Sequence, residues 1–338
     1  MRVSHLFIAN LKFFIGLVIG ITASFVLMSH RDLTSRVTLQ TYVDRSVYSY
    51  EQDSRSFKAA GFSDLHMHDD DDTTALQLAQ QVRVLCWIMT SPTNLDTKAV
   101  HIRNTWGKRC TKLLFMSSKW NSTFPAIGLN VSEGRQHLTA KTMEAFRYVY
   151  KHHLNDADWF MKADDDTYVI MENLRYFLSS YNTEKPVYFG HVFKIVTKQG
   201  YASGGAGYIL SKEALRRLAT KGHNTSICRQ DGGAEDAEVG KCFYGLGVKL
   251  LPTADRLGRT RFHCLRPWDH IMGAYDKWFY KYDANGARGG IDSLSDYAVS
   301  FHYISPPRLY EMEYFVYHLR PFGIIPRPQT LNSENITA

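Results

Sequence analysis

Several features that define common protein classes are missing from this sequence. No Gly-x-Gly-x-x-Gly fingerprint follows the first predicted strand, at residues 82–89, which disfavours a dinucleotide-dependent dehydrogenase. The five cysteines show none of the spacings that are typical of a zinc site. The net charge is +7, but no long block of Lys or Arg and no nucleic-acid-binding motif accompanies it. The charge alone suits a small anionic ligand as well as it suits nucleic acid.

One long apolar run is present, at residues 6–28, and it predicts a transmembrane signal-anchor behind a cytoplasmic tail of residues 1–5. About 20 apolar residues span a bilayer. Lys12 lies close enough to one end of the run for its ammonium group to reach the interface. A cleaved signal peptide is the alternative, because residues 22–24 are small.

The rest of the chain divides into a polar stretch and a domain with enough apolar residues for a core. Residues 29–81 have few apolar runs and are predicted to be a lumenal stem. Hydrophobic residues make up 44% of the whole chain and aromatic residues 13%, which excludes a disordered protein. We expect the folded domain at residues 82–325 and a tail at residues 326–338.

Sequons and cysteines fit a domain in the secretory lumen. Four Asn-x-Ser/Thr sequons are candidate glycosylation sites, at Asn121, Asn130, Asn224 and Asn335. An oxidising lumen favours disulfides, and proximity in sequence alone suggests two pairs, Cys86 with Cys110 and Cys228 with Cys242, with Cys264 left over. A domain in this compartment is not expected to meet nucleic acid.

Strand and helix patterns alternate along the predicted domain. Strands are predicted at residues 82–89, 112–117 and 186–190 and from Asp158 onward, and helices at residues 94–106, 138–153 and 171–181. The alternation predicts an α/β fold with a central, mostly parallel sheet that is covered on both faces. Ligands of such sheets bind at the carboxyl ends of the strands.

Three consecutive carboxylates follow the apolar strand that begins at Asp158. Their mutual repulsion serves no purpose in a core, whereas a hard divalent cation prefers oxygen ligands. If the strand continues, its period of two places Asp164 and Asp166 on one face, with Asp165 pointing elsewhere. The pattern therefore indicates a metal site, and a solvated acidic turn is the alternative.

Three later segments carry weaker signals. Gly204 and Gly205 belong to a glycine-rich turn that could approach a ligand closely or could be an ordinary loop. Glu235 and Asp236 open a predicted helix, where they could complement the helix dipole or supply a general base. His302 follows a short strand, and a lone histidine is more often structural than a ligand.

Residues 82–324 resemble the core 1 β1,3-galactosyltransferases of animals, which belong to the larger group that includes the fringe-type enzymes. The likeness is carried by segments in the same order along the chain: VLCWIMTSPTN, DADWFMKADDDTYVIMENLRYFL, YFGHVFK, KQGYASGGAGYILSKEALRRL, AEDAEVGKC, VSFHYISP and YHLRPFGI. The resemblance implies a GT-A type, Rossmann-like fold. It also implies inverting transfer of galactose from UDP-galactose to O-3 of N-acetylgalactosamine α-linked to Ser or Thr.

The resemblance assigns roles to individual residues. Asp164, Asp166 and His302 would hold Mn²⁺, and Asp236 would be the general base, with Glu235 as its rival. The remaining candidates would bind donor or acceptor, namely Thr90, Asp165, Gly204, Gly205, Trp278 and Tyr303. The family's layout further implies a single-pass type II protein of the Golgi membrane, glycoprotein acceptors that bear N-acetylgalactosamine, and a homodimer.

The sequence departs from the family pattern in one region. Ser293 and Leu294 stand where the family usually has adjacent cysteines, Cys264 lies in a segment that usually has none, and residues 276–292 are altered and rich in glycine. These positions belong to the acceptor side. A transferase with another donor or acceptor, or a non-catalytic glycan-binding or folding-partner relative, is therefore the alternative.

Overall fold

The computed structural model describes residues 70–324. Two parts of the chain lie outside the described residues. The first contains the predicted cytoplasmic tail, the signal-anchor and most of the stem, and the second contains Asn335 and the predicted tail at residues 326–338. Within the described part of the chain, no helix is both long and apolar enough to cross a membrane.

Helices and strands alternate through most of the described chain. The α-helices are α1 (Thr73–Gln81), α2 (Val100–Asn104), α3 (Leu138–His153), α4 (Met171–Leu178), α5 (Lys212–Lys221), α6 (Glu235–Gly245), α7 (Pro267–Met272), α8 (Lys277–Tyr282) and α9 (Pro306–Glu313). The strands are β1 (Val84–Met89), β2 (Lys112–Ser117), β3 (Ala126–Gly128), β4 (Trp159–Asp164), β5 (Tyr168–Val169), β6 (Val187–Gly190), β7 (Val192–Phe193), β8 (Tyr201–Ala202), β9 (Tyr208–Ser211), β10 (Lys249–Leu250), β11 (Phe262–His263) and β12 (Ser300–Phe301). Short 3₁₀ or π turns lie at Leu95–Ala99, Trp106–Arg109, Arg135–His137, Ile291–Ser293 and Tyr314–His318.

Seven of these strands form the central sheet, in the order β10-β6-β9-β4-β1-β2-β3. Strand β9 runs antiparallel to both of its neighbours, β4 and β6, and the other four pairs in this sheet are parallel. The predicted α/β fold with a central, mostly parallel sheet is confirmed.

Strand β1 shows why the sheet is covered on both faces. All six of its residues are buried. Val84, Cys86 and Ile88 belong to the apolar core on one face, and their neighbours Leu85 and Trp87 belong to the core on the other. A strand buried on both sides reads as a continuous apolar run rather than as an alternating one.

A smaller sheet of three strands, in the order β11-β12-β5, lies next to the carboxyl end of β4. Strand β12 pairs antiparallel with β5, so that Phe301 is opposite Tyr168 and Ser300 is opposite Val169. Because β5 follows the acidic triplet and β12 precedes His302, this pairing brings two distant parts of the sequence together.

Element boundaries agree with the sequence patterns in some places and differ in others. Helix α3 has the predicted bounds, 138–153. The helix predicted at 94–106 is divided into a π turn, the short α2 and a 3₁₀ turn. The last residues of the predicted stem form α1 (Thr73–Gln81), whose Leu78 is buried in the apolar core, and the boundaries of the stem stay a prediction.

Candidate active site

The acidic triplet lies in a turn between β4 and β5 rather than in a continuing strand. Strand β4 ends at Asp164, and the turn closes where the Thr167 amide donates to the Asp164 carbonyl at 3.2 Å. The Thr167 hydroxyl accepts a second bond, from the Asp164 amide, also at 3.2 Å. Asp164 and Asp166 therefore meet because the chain reverses, and the expected strand period is not the cause.

His302 joins these two carboxylates from β12. Its Nε2 atom lies 3.2 Å from Asp166 Oδ1 and 3.9 Å from Asp164 Oδ2. One ligand atom from each of the three residues lies within 4.8 Å of the other two. Burial alone would raise the pKa of Asp166, but His302, Lys98 and Lys162 together lower it below its ordinary value. Conversely, burial would lower the pKa of His302, and Asp166 raises it.

The imidazole of His302 is oriented by its other ring nitrogen. Nδ1 lies 3.2 Å from the Cys264 carbonyl oxygen. A carbonyl only accepts, so Nδ1 carries a proton, and Nε2 is the nitrogen that faces the carboxylates. This is the usual arrangement of a metal-binding histidine, and the three side chains fit a divalent cation.

Gly205 is required where the glycine-rich turn passes the His302 ring. A Cβ atom built on Gly205 would lie 2.2 Å from His302 Cε1. The turn is held in place by two hydroxyl groups, since Thr167 Oγ1 donates to the Gly205 carbonyl at 2.8 Å and Ser300 Oγ donates to the Ala206 carbonyl at 2.6 Å. No side chain could occupy position 205 without moving the histidine.

Lys162 is a buried cation beneath the acidic cluster. Its Nζ atom lies 2.6 Å from Asp164 Oδ1, 3.8 Å from Glu235 Oε2 and 3.2 Å from the Gly204 carbonyl. Burial alone would lower the pKa of Lys162, but Asp164 and Glu235 raise it above its ordinary value. The lysine therefore stays charged and offsets part of the repulsion among the carboxylates.

The two acids that open helix α6 have different surroundings. Glu235 is buried, and its Oε1 atom accepts hydrogen bonds from Thr142 Oγ1 at 2.7 Å and from the Tyr208 hydroxyl at 2.8 Å. Burial raises the pKa of Glu235. Asp236 is only half-buried, and it accepts backbone bonds from Gly204 at 3.0 Å and from Ala237 at 2.8 Å. Of the two, Asp236 is the carboxylate that is oriented and open to solvent.

These groups line a cleft of about 580 Å³ at the carboxyl end of β4. Asp164, His302 and Asp236 share it with Trp278 and Tyr303, which are 42% and 46% exposed. Two partly exposed aromatic rings therefore line the same cleft as the carboxylates. Tyr303 also has a left-handed backbone, with φ of 57°, a strained conformation that is common at functional sites.

Thr90 and Asp165, both predicted to contact donor or acceptor, instead contact each other. Thr90 Oγ1 and Asn94 Nδ2 both donate to Asp165 Oδ2 at 2.9 Å, and Lys98 Nζ lies 3.6 Å from Asp165 Oδ1. Burial raises the pKa of Asp165. Their hydrogen bonds join the end of β1 to the acidic turn, and direct contact with a ligand stays a prediction.

One of the two expected disulfides is formed. Cys228 is bonded to Cys242, which ties helix α6 to the loop after α5. Cys86 and Cys110 are not bonded to each other here, but their thiols are neighbours, since burial and Cys86 both raise the pKa of Cys110, and their pairing stays a prediction. The Cys86 thiol points between β1 and α4, where its sulfur lies 3.9 Å from the Met171 sulfur.

The sequons differ in exposure. Asn130 and Asn224 are exposed, and Asn121 is half-buried because its Oδ1 atom accepts a hydrogen bond from the Phe124 amide at 3.0 Å. Glycosylation of these asparagines stays a prediction.

Sequence reasoning missed several residues of the site. Lys162 could have been found as a charged residue inside an otherwise apolar strand. Thr142 and Tyr208, which bind Glu235, carry no comparable signal, because they come from α3 and β9. Arg135 also lines the cleft, and nothing in its sequence surroundings indicates that position.

The fold and the site together define the class of protein. An α/β domain with a cleft at the carboxyl ends of parallel strands has the architecture of a ligand-binding enzyme. Two carboxylates and an oriented imidazole in that cleft could hold a divalent cation.

Comparisons with known proteins identify the family. A family model described as Fringe-like matches residues 79–268. The chain is 46% identical over 279 residues to glycoprotein-N-acetylgalactosamine 3-beta-galactosyltransferase 1 of Xenopus laevis, which covers 81% of this chain and 77% of that protein. The chain belongs to the core 1 β1,3-galactosyltransferase family, whose Fringe-like domain it contains.

More distant similarities are partial. Beta-1,3-glucosyltransferase of Mus musculus is 27% identical over 172 residues, which cover 50% of this chain and 33% of that protein. The solved galactosyltransferase LgtC, in complex with donor and acceptor sugar analogs, aligns with 70% of this chain and 97% of its own at 10% identity. Its TM-score is 0.38, a likeness too small to carry an argument about this chain.

Proposed function

We propose that this protein transfers galactose from UDP-galactose to O-3 of N-acetylgalactosamine that is α-linked to Ser or Thr of a glycoprotein. The single observation that carries the proposal is the convergence of Asp164, Asp166 and His302 in one cleft with Asp236. A diphosphate leaving group needs positive charge, and an acceptor hydroxyl needs a base. The cleft supplies groups for both, and the Xenopus laevis relative named above bears the name of this activity.

The three proposed metal ligands suit a hard divalent cation, and Mn²⁺ is the ion that we propose. Asp164, Asp166 and His302 would hold it, and its positive charge would offset the charge that develops on the departing diphosphate. Mixed carboxylate and imidazole ligands are compatible with manganese. Lys162 binds the Oδ1 atom of Asp164 at 2.6 Å and so helps to hold that carboxylate in place.

Asp236 is the proposed general base. Hydrogen bonds from the backbone of Gly204 and Ala237 fix its carboxylate at the start of α6, where it lines the cleft. In the proposed step the acceptor O-3 forms a bond to C-1 of galactose, while the bond from C-1 to the β-phosphate oxygen breaks. The O-3 proton passes to Asp236, UDP leaves with the bonding electron pair, and attack from the opposite face inverts C-1.

Glu235 fits a supporting role better than the role of base. Its carboxylate is buried, and Thr142 and Tyr208 already donate to it. A base that must reach a sugar hydroxyl needs an oxygen atom within hydrogen-bond distance of that hydroxyl. Asp236 lines the cleft and is only half-buried, which supports it as the group that reaches such a hydroxyl.

The proposal extends to a GT-A type fold and a Golgi location, with residues 6–28 as a type II anchor. The mixed sheet supports the first part, and the apolar run and the sequons support the second. A homodimer is also part of the proposal, on the resemblance to the family alone.

A panel of donors and acceptors tests the proposed function. The protein would be incubated with Mn²⁺ and with UDP-galactose, UDP-glucose or UDP-N-acetylglucosamine, each with a peptide that bears N-acetylgalactosamine on threonine. We expect a disaccharide only with UDP-galactose, with a β1,3 linkage in its NMR spectrum. Transfer from a different donor, or to a different hydroxyl, would replace this function with another β1,3-transferase activity.

A further inference from the structure

A buried ion pair lies near Trp278, one of the two aromatic residues that line the cleft, and apart from the proposed metal ligands. His191 follows strand β6, and Asp283 follows helix α8. Their side chains are 1% and 2% exposed, and His191 Nε2 lies 3.1 Å from Asp283 Oδ1. The function proposed above gives no role to either residue.

Both ring nitrogens of His191 lie close to oxygen atoms. Nδ1 lies 3.0 Å from the Phe262 carbonyl oxygen, which cannot donate, so Nδ1 must carry a proton. Nε2 lies 3.1 Å from Asp283 Oδ1, but the two atoms are not aligned as a hydrogen bond, so the contact is one between charges; the other Asp283 oxygen accepts the Ala287 amide at 2.6 Å. These partners fit an imidazolium beside a carboxylate.

The two neighbouring histidines, His263 and His270, add no positive charge beside the His191–Asp283 pair. Burial lowers the pKa of His263, and it lowers the pKa of His270 to about 4, so both rings are neutral at physiological pH. Burial alone would lower the pKa of His191, but Cys264 and Asp283 raise it to about 10. Burial would raise the pKa of Asp283, and His191 more than offsets this effect.

The pair ties helix α8 to the end of β6. The His191 ring stacks on Phe279 of that helix, with ring centroids 5.7 Å apart and an angle of 24° between the planes. Two backbone bonds flank the pair, from Lys194 to the Tyr282 carbonyl at 2.8 Å and from Ala284 to the Val192 carbonyl at 3.0 Å.

The same helix carries Trp278 into the cleft. Trp278 packs edge-to-face on Phe193 of β7, with ring centroids 5.9 Å apart. Because α8 has only six residues, a shift of its carboxyl end would move Trp278 as well. The position of Trp278 in the cleft therefore depends on the contacts that hold Asp283.

A buried ion pair adds little net stability, because desolvation of the two charges offsets their attraction. Its best-attested effect is to fix register, since a displaced partner leaves a charge unpaired in the core. We propose that His191 and Asp283 are positioning residues that fix the register of α8, and with it the place of Trp278 on the acceptor side of the cleft. The acceptor part of this inference rests on the function proposed above.

Steady-state kinetics of Asp283→Asn test the acceptor part. We expect KM for the N-acetylgalactosamine peptide to rise about tenfold or more, since small displacements of positioning groups have effects of this size. KM for UDP-galactose should change by less than about threefold. Asp296→Asn is the matched control, because it removes the exposed Arg259–Asp296 ion pair and leaves α8 alone. Equal changes in both KM values, or a result like that of Asp296→Asn, would overturn the proposal.

Single substitutions in a core can unfold a protein, so a double variant completes the test. His191→Leu with Asp283→Leu removes both charges and leaves neither unpaired, which buried pairs often tolerate. We expect this variant to fold, to bind UDP with Mn²⁺ as the unmodified protein does, and to show the same rise in acceptor KM. A normal acceptor KM in the folded double variant would contradict a positioning role.

Two measurements without catalysis separate this inference from the proposed function. In ¹⁵N-histidine NMR spectra near neutral pH, we expect one imidazole with both nitrogens protonated that is lost in His191→Leu/Asp283→Leu. In hydrogen exchange, we expect amides of residues 277–284 to exchange about tenfold faster in Asp283→Asn, with β4 unchanged. If no transfer is detected, these two results still decide whether the pair holds α8. A singly protonated His191, or unchanged hydrogen exchange in Asp283→Asn, would contradict the inference.

Discussion

His302 Nε2 lies 3.2 Å from Asp166 Oδ1, although one residue follows β12 and the other follows β4. The antiparallel pairing of β12 with β5 produces this contact, because it aligns the end of one strand with the start of the other. The Ile304 amide then donates to the Asp166 carbonyl at 2.9 Å and fixes the register beyond the strands. The candidate metal site is therefore a product of the small sheet as much as of the acidic triplet.

Loss of a proposed metal ligand should abolish metal-dependent nucleotide binding without unfolding the domain. We expect Asp166→Ala to weaken UDP binding in the presence of Mn²⁺ by about 100-fold or more, since even outer-shell changes cost 10- to 100-fold. Titration calorimetry measures the affinity, and the melting temperature reports on the fold.

Asp158→Asn is the matched control for this experiment. Asp158 stands just before the same strand and binds Arg83 at 2.7 Å, away from the cleft. Its UDP affinity should equal that of the unmodified protein. If Asp166→Ala binds UDP with Mn²⁺ as tightly as this control, then Asp166 is not a metal ligand.

The two acids of α6 should respond differently to neutralisation. Asp236→Asn is expected to reduce turnover by about 10²- to 10⁴-fold, the usual contribution of a general base, with UDP affinity retained. Glu235→Gln should reduce turnover much less, because its carbonyl oxygen can still accept from Thr142 and Tyr208. Single-turnover kinetics compare the two variants, and the reverse ranking would transfer the role of base to Glu235.

The disulfide should stabilise the domain by restricting its unfolded chain. Cys228 and Cys242 are separated by 14 residues. Closing a loop of this length is worth about 3 kcal/mol in the chain-entropy model. We expect the double substitution Cys228→Ser with Cys242→Ser to lower the free energy of unfolding by about that amount in urea titrations. An unchanged midpoint and slope would mean that the bond does not constrain the unfolded state.

The free energy of unfolding should fall as the pH rises, because the His191–Asp283 ion pair loses the positive charge of His191. The pKa of His191 is raised from 6.5 to about 10 in the folded protein, so its contribution is full below pH 6.5 and is lost as the pH rises through about 10. The pKa of Asp283 is lowered from 3.8, so its contribution is lost only in acid.

The free energy of unfolding of the unmodified protein and of Asp283→Asn should therefore differ most near pH 6. The difference should narrow steadily from pH 6.5 to about 10. Urea titrations at several pH values give both curves. A difference that is constant over this range would show that His191 does not titrate as part of an ion pair.

The sequence was sufficient for most of the fold and for part of the site. Local periodicity defined helix α3 with its exact ends, and the apolar run of β1 indicated a strand buried on both faces. Asp164 and Asp166 could be selected as candidates because adjacent carboxylates suit a hard divalent cation and do not suit a core. In each of these cases the signal lies within a few consecutive residues.

What the sequence could not provide depends on contacts between distant segments. The acidic triplet is a turn closed by Thr167, which a strand pattern does not reveal. His191 and Asp283 form a pair only because α8 folds back on β6, and neither residue stands out in its own segment.

Disaccharide formation before and after metal removal tests the central claim most directly. The protein would be given UDP-galactose and a peptide with N-acetylgalactosamine on threonine, first with Mn²⁺, then with EDTA, and then with Mn²⁺ restored. We expect β1,3-linked product, its loss, and its return, since Asp164, Asp166 and His302 are proposed to act through a bound cation. Transfer that continues at the same rate in EDTA, or no product at any stage from the folded protein, would contradict the account.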